Sequence, residues 1–293
     1  MATRTAGWKF WIDRGGTFTD LVALAPDGTL RTAKLLSDDP EHYPDAAVEG
    51  IRRIFDLPRN EIVPVDQIAV VKMGTTVATN ALLERKGERM ALVTNRGFRD
   101  VLRIGTQQRP GLFDLDIKLP DQLYERVVEC AGRMSNDGGE IEQLNLSETR
   151  IAFEKLLTDG IYCVAIVLMH GYRYPHHEQI LAQLARDLGF AHVYPSHETS
   201  RLVKFVDRGH TTMVDAYLSP VLRKYVDRLH SALPGVRLLF MQSNGGLADA
   251  SRFRGKDAIL SGPAAGIVGA ANVANRAGFE RVIALTWEGR RQT

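Results

Sequence analysis

Hydrophobic and polar positions alternate near the start of the chain and then change to helical spacing. Residues 8–12 and 21–25 have the apolar pattern of strands, and a glycine turn at residues 13–16 lies between them. This arrangement predicts that the chain opens with a β-hairpin. Helical periodicity over 46–55 and 75–86 then predicts the first two helices.

The same pattern continues beyond the first helices. Further strands are predicted at 68–73, 90–94, 163–169, 236–241 and 281–285, and further helices at 149–157, 178–188 and 210–233. Strands that alternate with helices predict an α/β sheet. The long helix that begins at residue 210 interrupts this alternation, so we predict one domain over residues 1–195 and a second over residues 196–284.

Composition and charge exclude several classes of protein. The chain has 37 basic and 35 acidic residues, a formal net charge of +2 and 44% hydrophobic residues. This balance gives no strong field toward nucleic acid or anionic lipid, and no apolar run is long enough to span a membrane. The two cysteines have neither the number nor the spacing of a disulfide framework or zinc site. We therefore predict a cytoplasmic protein that binds neither nucleic acid nor membrane.

The turn between the first two predicted strands carries residues suited to phosphate chemistry. Glycine lets a backbone approach phosphate closely and adopt unusual dihedral angles, threonine hydroxyls donate hydrogen bonds, and an aspartate holds magnesium. The candidate residues are Asp13, Gly15, Gly16, Thr17 and Thr19, with Asp13 as the metal ligand. The alternative is an ordinary polar hairpin turn. The segment is neither a P-loop nor a Rossmann motif, since no Gly-Lys-Ser/Thr and no helix follows the glycines.

Three further clusters of small and polar residues follow strands or loops. The cluster Gly74, Thr75 and Thr76 precedes a predicted helix, where free amides and hydroxyls bind an anion or merely cap the helix. Residues 241–247 and 261–266 also supply small residues, and either cluster is suited to line a cleft. For residues 261–266, close packing of a helix against a sheet explains the small residues without a ligand.

Two arginines and a histidine-rich segment are weaker candidates. Arg109, which precedes a proline turn, is suited to clamp a carboxylate or imide oxygen, although an ordinary surface ion pair fits equally. Residues 176–178, His-His-Glu, together with His170, suggest a metal site, but a normal first helical turn has the same pattern. Arg208 is either a cleft residue or part of a helix start.

Taken in order, these motifs resemble the hydantoinase A/5-oxoprolinase family, which includes subunits of acetone and acetophenone carboxylases. The matching segments are residues 13–20, 74–87, 103–115, 172–178, 210–220, 241–247 and 261–270. The resemblance implies an α/β, actin-like ATPase (ribonuclease-H-like) fold, with an N-terminal half and an incomplete second half. Residue 14, an arginine here, is often smaller or apolar in the family.

The resemblance also implies a reaction, cofactors and partners. Members use ATP and Mg²⁺ to activate the carbonyl of a cyclic amide such as 5-oxoproline or a hydantoin, or a ketone in the carboxylase relatives. Asp13 and Arg109 are then the predicted catalytic residues, and Gly15, Gly16, Thr17, Thr19, Gly74, Thr75 and Thr76 the predicted ATP-binding residues. A small cyclic amide and a hydantoinase B-type subunit or domain are the predicted partners.

The sequence after residue 284 departs from the resembled family, which continues there with a second phosphate motif. Codons for residues 285–293 exist that, read in a neighbouring frame, give Asp-Met-Gly-Gly-Thr-Ser-Thr-Asp, the missing motif. We therefore expect a truncated product with an out-of-frame tail, and no ATP turnover by the chain alone. Sequencing the locus tests this expectation. A non-catalytic remnant and a sugar kinase of the same fold are the alternatives from other classes.

Overall fold

The computed structural model describes residues 7–58, 61–107, 113, 115–116, 119 and 121–285 of the chain. The strands, in chain order, are β1 Trp8–Arg14, β2 Phe18–Leu24, β3 Leu30–Leu36, β4 Ile68–Thr75, β5 Met90–Asn95, β6 Arg126–Cys130, β7 Arg133–Met134, β8 Glu140–Glu142, β9 Cys163–Val167, β10 His192–Pro195, β11 Leu238–Met241 and β12 Leu247–Asp249.

The α-helices alternate with these strands over much of the chain. They are α1 Ala46–Ile54, α2 Val77–Leu83, α3 Val101–Ile104, α4 Leu146–Thr158, α5 His176–Asp187, α6 Ser196–Thr199, α7 Phe205–Ala232, α8 Gly255–Ala258 and α9 Ser261–Arg276. Short 3-10 helices occupy Val65–Gln67 and Ala250–Arg252. No helix among the described residues is long and apolar enough to cross a membrane.

The chain divides into two compact units. Unit 1 comprises Met1–Lys86 and Val221–Thr293, and unit 2 comprises Gly87–Pro220. Helix α7 therefore contributes its first part to unit 2 and its remainder to unit 1. The domain boundary predicted between residues 195 and 196 divides the chain into consecutive segments, whereas unit 1 combines two separate segments. That boundary therefore stays a prediction.

Unit 1 is built on a six-stranded mixed sheet with the order β12-β11-β4-β1-β2-β3. β1, β2 and β3 are antiparallel neighbours, whereas β4 runs parallel to β1 and to β11. Burial alternates along β2, as expected when one face of a sheet is covered. Helix α1 packs on the covered face, where a Cβ at Gly50 would meet the Leu21 side chain. The Asp45 side chain begins α1 by accepting hydrogen bonds from two amides of its first turn.

Unit 2 contains a four-stranded sheet with the order β10-β9-β5-β6, in which all neighbours are parallel. Every residue of β5 and of β9 is buried, which is typical of the central strands of a parallel sheet. Helices α4 and α5 close one apolar core around Phe153 and Leu181. Both cysteines, Cys130 and Cys163, are free and buried in this unit.

Most of the predicted elements are present, with different ends. The helix predicted over 75–86 is shorter, because β4 extends to Thr75 and the helix begins at Val77. The strand predicted at 281–285 is wrong. Those residues form no regular structure, and Ile283 and Leu285 are exposed. An apolar pattern becomes a strand only where a neighbouring strand pairs with it, and none does so among the described residues.

Candidate functional site

Asp13 lies near the end of β1 with a residue of each neighbouring strand beside it. Asp20 is its cross-strand partner on β2, and Gly74 is its partner on β4. Ile12 points into the core, so Asp13 lies on the exposed face of the sheet. A Cβ at Gly74 would lie 3.2 Å from Asp13 Oδ1. Glycine at this position therefore leaves space beside the carboxylate.

The two neighbouring carboxylates have different surroundings. Lys34 Nζ donates to both oxygens of Asp20, at 2.9 and 3.1 Å. No described residue donates a hydrogen bond to Asp13. Asp13 is open to solvent on one side, but the protein around it desolvates the carboxylate and raises its pKa, and the negative charge of Asp20 raises the pKa further. A divalent cation would relieve this repulsion, and Mg²⁺ commonly takes only one or two protein carboxylates.

The turn that follows β1 is closed by one backbone hydrogen bond, from Gly15 N to Phe18 O at 3.0 Å. Thr17 O accepts from Ser37 N at 2.8 Å, but the amides of Gly16 and Thr17 donate to no described residue. Adjacent amides that project from a tight turn form a cradle for an anion. The turn therefore has the donors that a phosphate group requires.

Space, rather than unusual dihedral angles, explains the glycines of this turn. Neither Gly15 nor Gly16 has a positive φ, which corrects the conformational reason expected from the sequence. A Cβ at Gly15 would lie 3.0 Å from Phe18 O, and one at Gly16 would lie 3.3 Å from Asn80 Nδ2. Side chains at either position would crowd the turn and its approach.

Thr19 lies on the opposite face of the sheet from Asp13. It is fully buried, and its hydroxyl is 2.9 Å from Ser37 Oγ. In this structure the Thr19 hydroxyl therefore supports the turn from beneath. Because this hydroxyl lies on the other face of the sheet from the Asp13 carboxylate, its contact with phosphate stays a prediction.

The residues that open α2 are tied to the end of β1. The Thr76 amide and hydroxyl both donate to Arg14 O, at 3.1 and 3.2 Å. Thr75 Oγ1 accepts from Val77 N at 3.2 Å, and both threonines are buried. Thr75 thus accepts from the first amide of the helix, as the capping alternative expects, whereas Thr76, the N-cap residue, makes no side-chain capping bond. Gly74 has the more direct relation to the candidate site, through the space it leaves at Asp13.

The two later small-residue clusters pack around the same strand of unit 1. Ser261 Oγ donates to Thr75 O at 2.9 Å, and the Thr79 hydroxyl donates to Ile259 O. Ser243 Oγ donates to Asp257 O at 2.8 Å and accepts from Leu260 N at 3.0 Å. These bonds hold the loops before α8 and α9 beside the end of β4, so the clusters build the surroundings of the candidate site.

The structure describes one of the two arginine candidates. Arg109 lies outside the described residues. Arg208, in unit 2, is fully buried, and its guanidinium donates to Ser196 Oγ at 3.0 Å and to Leu168 O at 2.7 Å. Desolvation lowers the pKa of Arg208, and the charge of Glu178 opposes that effect. Arg208 therefore supports the interior of unit 2.

Residues of the histidine-rich segment likewise form hydrogen bonds within unit 2. Glu178 accepts from Leu168 N and His197 N, both at 2.9 Å, and from Ser196 Oγ at 2.6 Å and His197 Nδ1 at 2.8 Å. His177 Nε2 is 2.7 Å from Glu140 Oε1. In the part of the chain that the structure describes, no group of three or more His, Cys, Asp or Glu is arranged for a metal. The first-turn alternative for residues 176–178 therefore fits the structure.

Solved structures with the same architecture define the class of protein. The nucleotide-free structure of acetone carboxylase superposes with a TM-score of 0.77 at 20% identity, over 92% of this chain and 41% of that one. The ATP-dependent caprolactamase from Pseudomonas jessenii gives a TM-score of 0.76 at 30% identity over the same shares. Both have the actin-like ATPase fold. The mixed α/β chain is thus an actin-like ATPase-fold protein, as the sequence predicted.

The sequence comparisons identify the family within that class. Residues 9–189 match the model of the hydantoinase/oxoprolinase N-terminal region, and residues 208–287 match the hydantoinase/oxoprolinase model. The chain belongs to the hydantoinase/oxoprolinase family.

Two curated relatives illustrate the range of the family. 5-oxoprolinase 1 of Arabidopsis thaliana is 46% identical over 89% of this chain, and the acetophenone carboxylase gamma subunit of Aromatoleum aromaticum is 27% identical over 93%. The chain spans 23% of the length of the first relative and 40% of the second.

Proposed function

We propose that this chain supplies one phosphate-binding turn and the magnesium carboxylate of an ATP-dependent enzyme that opens cyclic amides. Asp13 would hold Mg²⁺, and the Gly16 and Thr17 amides would bind a phosphate group of ATP. Gly15 and Gly74 would keep the approach clear. The observation that carries the proposal is a carboxylate without a described hydrogen-bond donor beside a turn with two unused amides.

The properties of the site support ATP with magnesium as the cofactor. The raised pKa of Asp13 arises from desolvation and a second negative charge, and a bound cation would offset both effects. Magnesium in phosphate-transfer sites usually retains several waters and is bound through only one or two carboxylates, so Asp13 alone would suffice. ATP would supply an activated phosphoryl group for the carbonyl oxygen of the substrate.

The relatives support a cyclic amide as the substrate class. The names of two similar proteins, 5-oxoprolinase 1 and caprolactamase, each specify a lactam ring, and their identities to this chain are 46% and 30%. Ketone carboxylation is the second candidate, since the acetophenone carboxylase gamma subunit is 27% identical. The higher identity to the lactam enzymes favours ring opening.

A partner is part of the proposal, because the chain spans 23% of 5-oxoprolinase 1. We propose that a hydantoinase B-type subunit or domain supplies the remaining part of the active enzyme. The subunit designation of the acetophenone carboxylase relative supports an arrangement of separate polypeptides. Arg109 stays a proposed contact for the substrate.

Binding measurements on the purified chain test the proposal directly. Titration calorimetry with ATP should give heat only when Mg²⁺ is present, and Asp13→Asn should remove that dependence. Asp66→Asn is the matched control, because Asp66 is an exposed carboxylate of unit 1 in a separate 3-10 helix. 5-oxoproline, hydantoin and caprolactam should each be compared with acetone, acetophenone and a hexose in the presence of Mg-ATP.

The results separate the candidates. Stabilisation of the Mg-ATP complex by a lactam or hydantoin supports the cyclic-amide proposal, whereas stabilisation by a ketone alone favours the carboxylase alternative. Stabilisation by the hexose alone would favour a kinase. ATP binding that is unchanged by Asp13→Asn would refute the assignment of the magnesium carboxylate.

A further inference from the structure

Arg14 directly precedes the candidate phosphate turn, and its side chain lies on the covered face of the sheet. It follows the buried residues Phe10 and Ile12 at alternate positions of β1. Its guanidinium carbon is 5.2 Å from the ring centroid of Tyr225, in the unit 1 part of α7. Tyr225 is 1% exposed, so the guanidinium is stacked on a desolvated ring.

The backbone of Arg14 is a junction between three elements of unit 1. Arg14 pairs with Thr19 on β2 and with Thr75 on β4. Its carbonyl accepts the two hydrogen bonds from Thr76 that fix the start of α2. The next two residues are Gly15 and Gly16 of the turn. A displacement of Arg14 would therefore move the turn and the start of α2 together.

Few hydrogen bonds hold the Arg14 side chain. Its Nε is buried without a hydrogen-bond partner among the described residues, and Nη2 reaches Ser37 O only at 3.5 Å. The Tyr225 hydroxyl is likewise buried without a partner in the described chain. The aromatic ring is therefore the main contact that orients the guanidinium. Cation–π contacts strengthen as they are removed from water, and here the ring is buried and the arginine half-buried.

The charged groups around the ring are few. Arg228 lies over the same ring at 5.9 Å, and Asp45 at the start of α1 is the nearby acidic group. The ring thus faces two cations and one anion.

We infer that Arg14 is a positioning residue whose stacking on Tyr225 holds the Gly15–Gly16 turn and the start of α2 in register for phosphate binding. The inference rests on the proposed function of the turn. Arg14 would not touch the nucleotide, because it lies on the face opposite Asp13. Its effect would pass through its own carbonyl and the peptide that leads into Gly15.

Amide hydrogen exchange and Mg-ATP affinity, measured on the full chain, test the inference together. Arg14→Met and Tyr225→Leu should each speed exchange of the Thr76 amide and weaken Mg-ATP binding about tenfold, the scale expected for loss of a desolvated cation–π contact. The double variant should bind Mg-ATP no more weakly than either single variant, because both substitutions remove the same contact. Tyr225→Phe keeps the ring and should retain both properties.

Val226→Ala is the matched control, because it removes buried volume from the neighbouring position of α7. It should lower the melting temperature without changing local exchange at Thr76 or Mg-ATP affinity. Equal effects of Val226→Ala and Arg14→Met would mean that Arg14 acts only through global stability, which overturns the inference.

The proposed function and the positioning role fail in different ways. Unchanged Thr76 exchange in Arg14→Met overturns the positioning role, whatever the ATP result. Faster exchange with unchanged Mg-ATP affinity, in a chain where Asp13→Asn loses affinity, also overturns it while the proposed function stands. Absence of Mg-ATP binding by the wild type overturns the proposed function and the phosphate part of the inference. Hydrogen exchange of the Thr76 amide then shows separately whether Arg14 holds the turn.

Discussion

The two units use the same kinds of polar residue in opposite ways. In unit 2, Glu178 is fully buried and accepts four hydrogen bonds from protein groups, and Arg208 nearby donates to protein oxygens. In unit 1, Asp13 is exposed, has no hydrogen-bond donor among the described residues, and lies beside a second carboxylate. Saturated polar groups stabilise a fold, whereas unsatisfied groups at an open face are available to a ligand.

This contrast shows why residue type alone does not locate a site. The His-His-Glu segment of unit 2 and the Asp-Arg-Gly-Gly segment of unit 1 are both plausible candidates along the sequence. Their hydrogen bonds distinguish the two segments. The carboxylate oxygens of Glu178 accept hydrogen bonds from protein groups, whereas those of Asp13 accept none from the described residues. The following predictions test this separation.

The largest effect on stability is expected from Glu178→Ala in unit 2. The substitution leaves two buried backbone donors without their acceptor and removes the negative charge near Arg208, and should cost about 3–5 kcal/mol of unfolding free energy. Chemical denaturation gives the measurement. Glu154→Ala, at an exposed position of α4, is the control and should change stability by less than about 0.5 kcal/mol. A loss below about 1 kcal/mol for Glu178→Ala would show that unit 2 does not depend on this network.

Asp13→Asn should have the reverse profile, with lost Mg-ATP affinity and an intact fold. The raised pKa means that folding favours the protonated form, so charged Asp13 lowers stability above its folded-state pKa. Asn should therefore leave stability near neutral pH equal or higher. Mg-ATP affinity of the wild type should fall with decreasing pH at a higher pH than for an ordinary aspartate. Calorimetry across pH checks this, and the same pH profile in Asp13→Asn would contradict it.

Gly74→Ala should produce a smaller, local effect in unit 1. The added methyl group would lie 3.2 Å from Asp13 Oδ1 and should weaken Mg-ATP binding several-fold, with a stability change within roughly 1 kcal/mol. Gly269→Ala is the matched control, since a Cβ there meets nothing within 4 Å. If both variants bind Mg-ATP like the wild type, the space beside Asp13 is not needed.

The smallest effect is expected for the cysteines of unit 2. Burial raises the pKa of the Cys130 thiol to about 12 and also raises that of Cys163, so both remain protonated and unreactive in the folded chain. A thiol reagent should label them only on unfolding and should leave Mg-ATP affinity unchanged. Rapid labelling of the native chain would show that unit 2 is more open than its buried strands indicate.

Local patterns were sufficient for much of the fold. Alternation located β1 and β2, helical spacing located α1 and α7, and apolar runs located β5 and β9. These patterns are visible because a buried face requires apolar residues at regular positions in the sequence. The pattern at 281–285 was misleading for the same reason. An apolar run records a tendency to be buried, but only a neighbouring strand makes it a β-strand.

The candidate site was less fully determined by the sequence. The glycines and Asp13 were identified from residue type and order, but the pairing of Asp20 with Lys34 depends on the register between β2 and β3. The opposite orientation of Asp13 and Thr19 likewise follows from the sheet. Residue type and order alone do not show on which face of the sheet each side chain lies.

The sequence by itself determined the family and the α/β class, and it singled out the turn proposed to bind phosphate, since these depend on residues close together or in a fixed order. Only the tertiary structure decided which polar groups are already satisfied. It placed Arg208 and Glu178 in a closed network, brought Tyr225 beneath Arg14 and set Gly74 beside Asp13. The physical reason is that hydrogen-bond saturation, desolvation and free space depend on atoms distant in sequence, which no local pattern encodes.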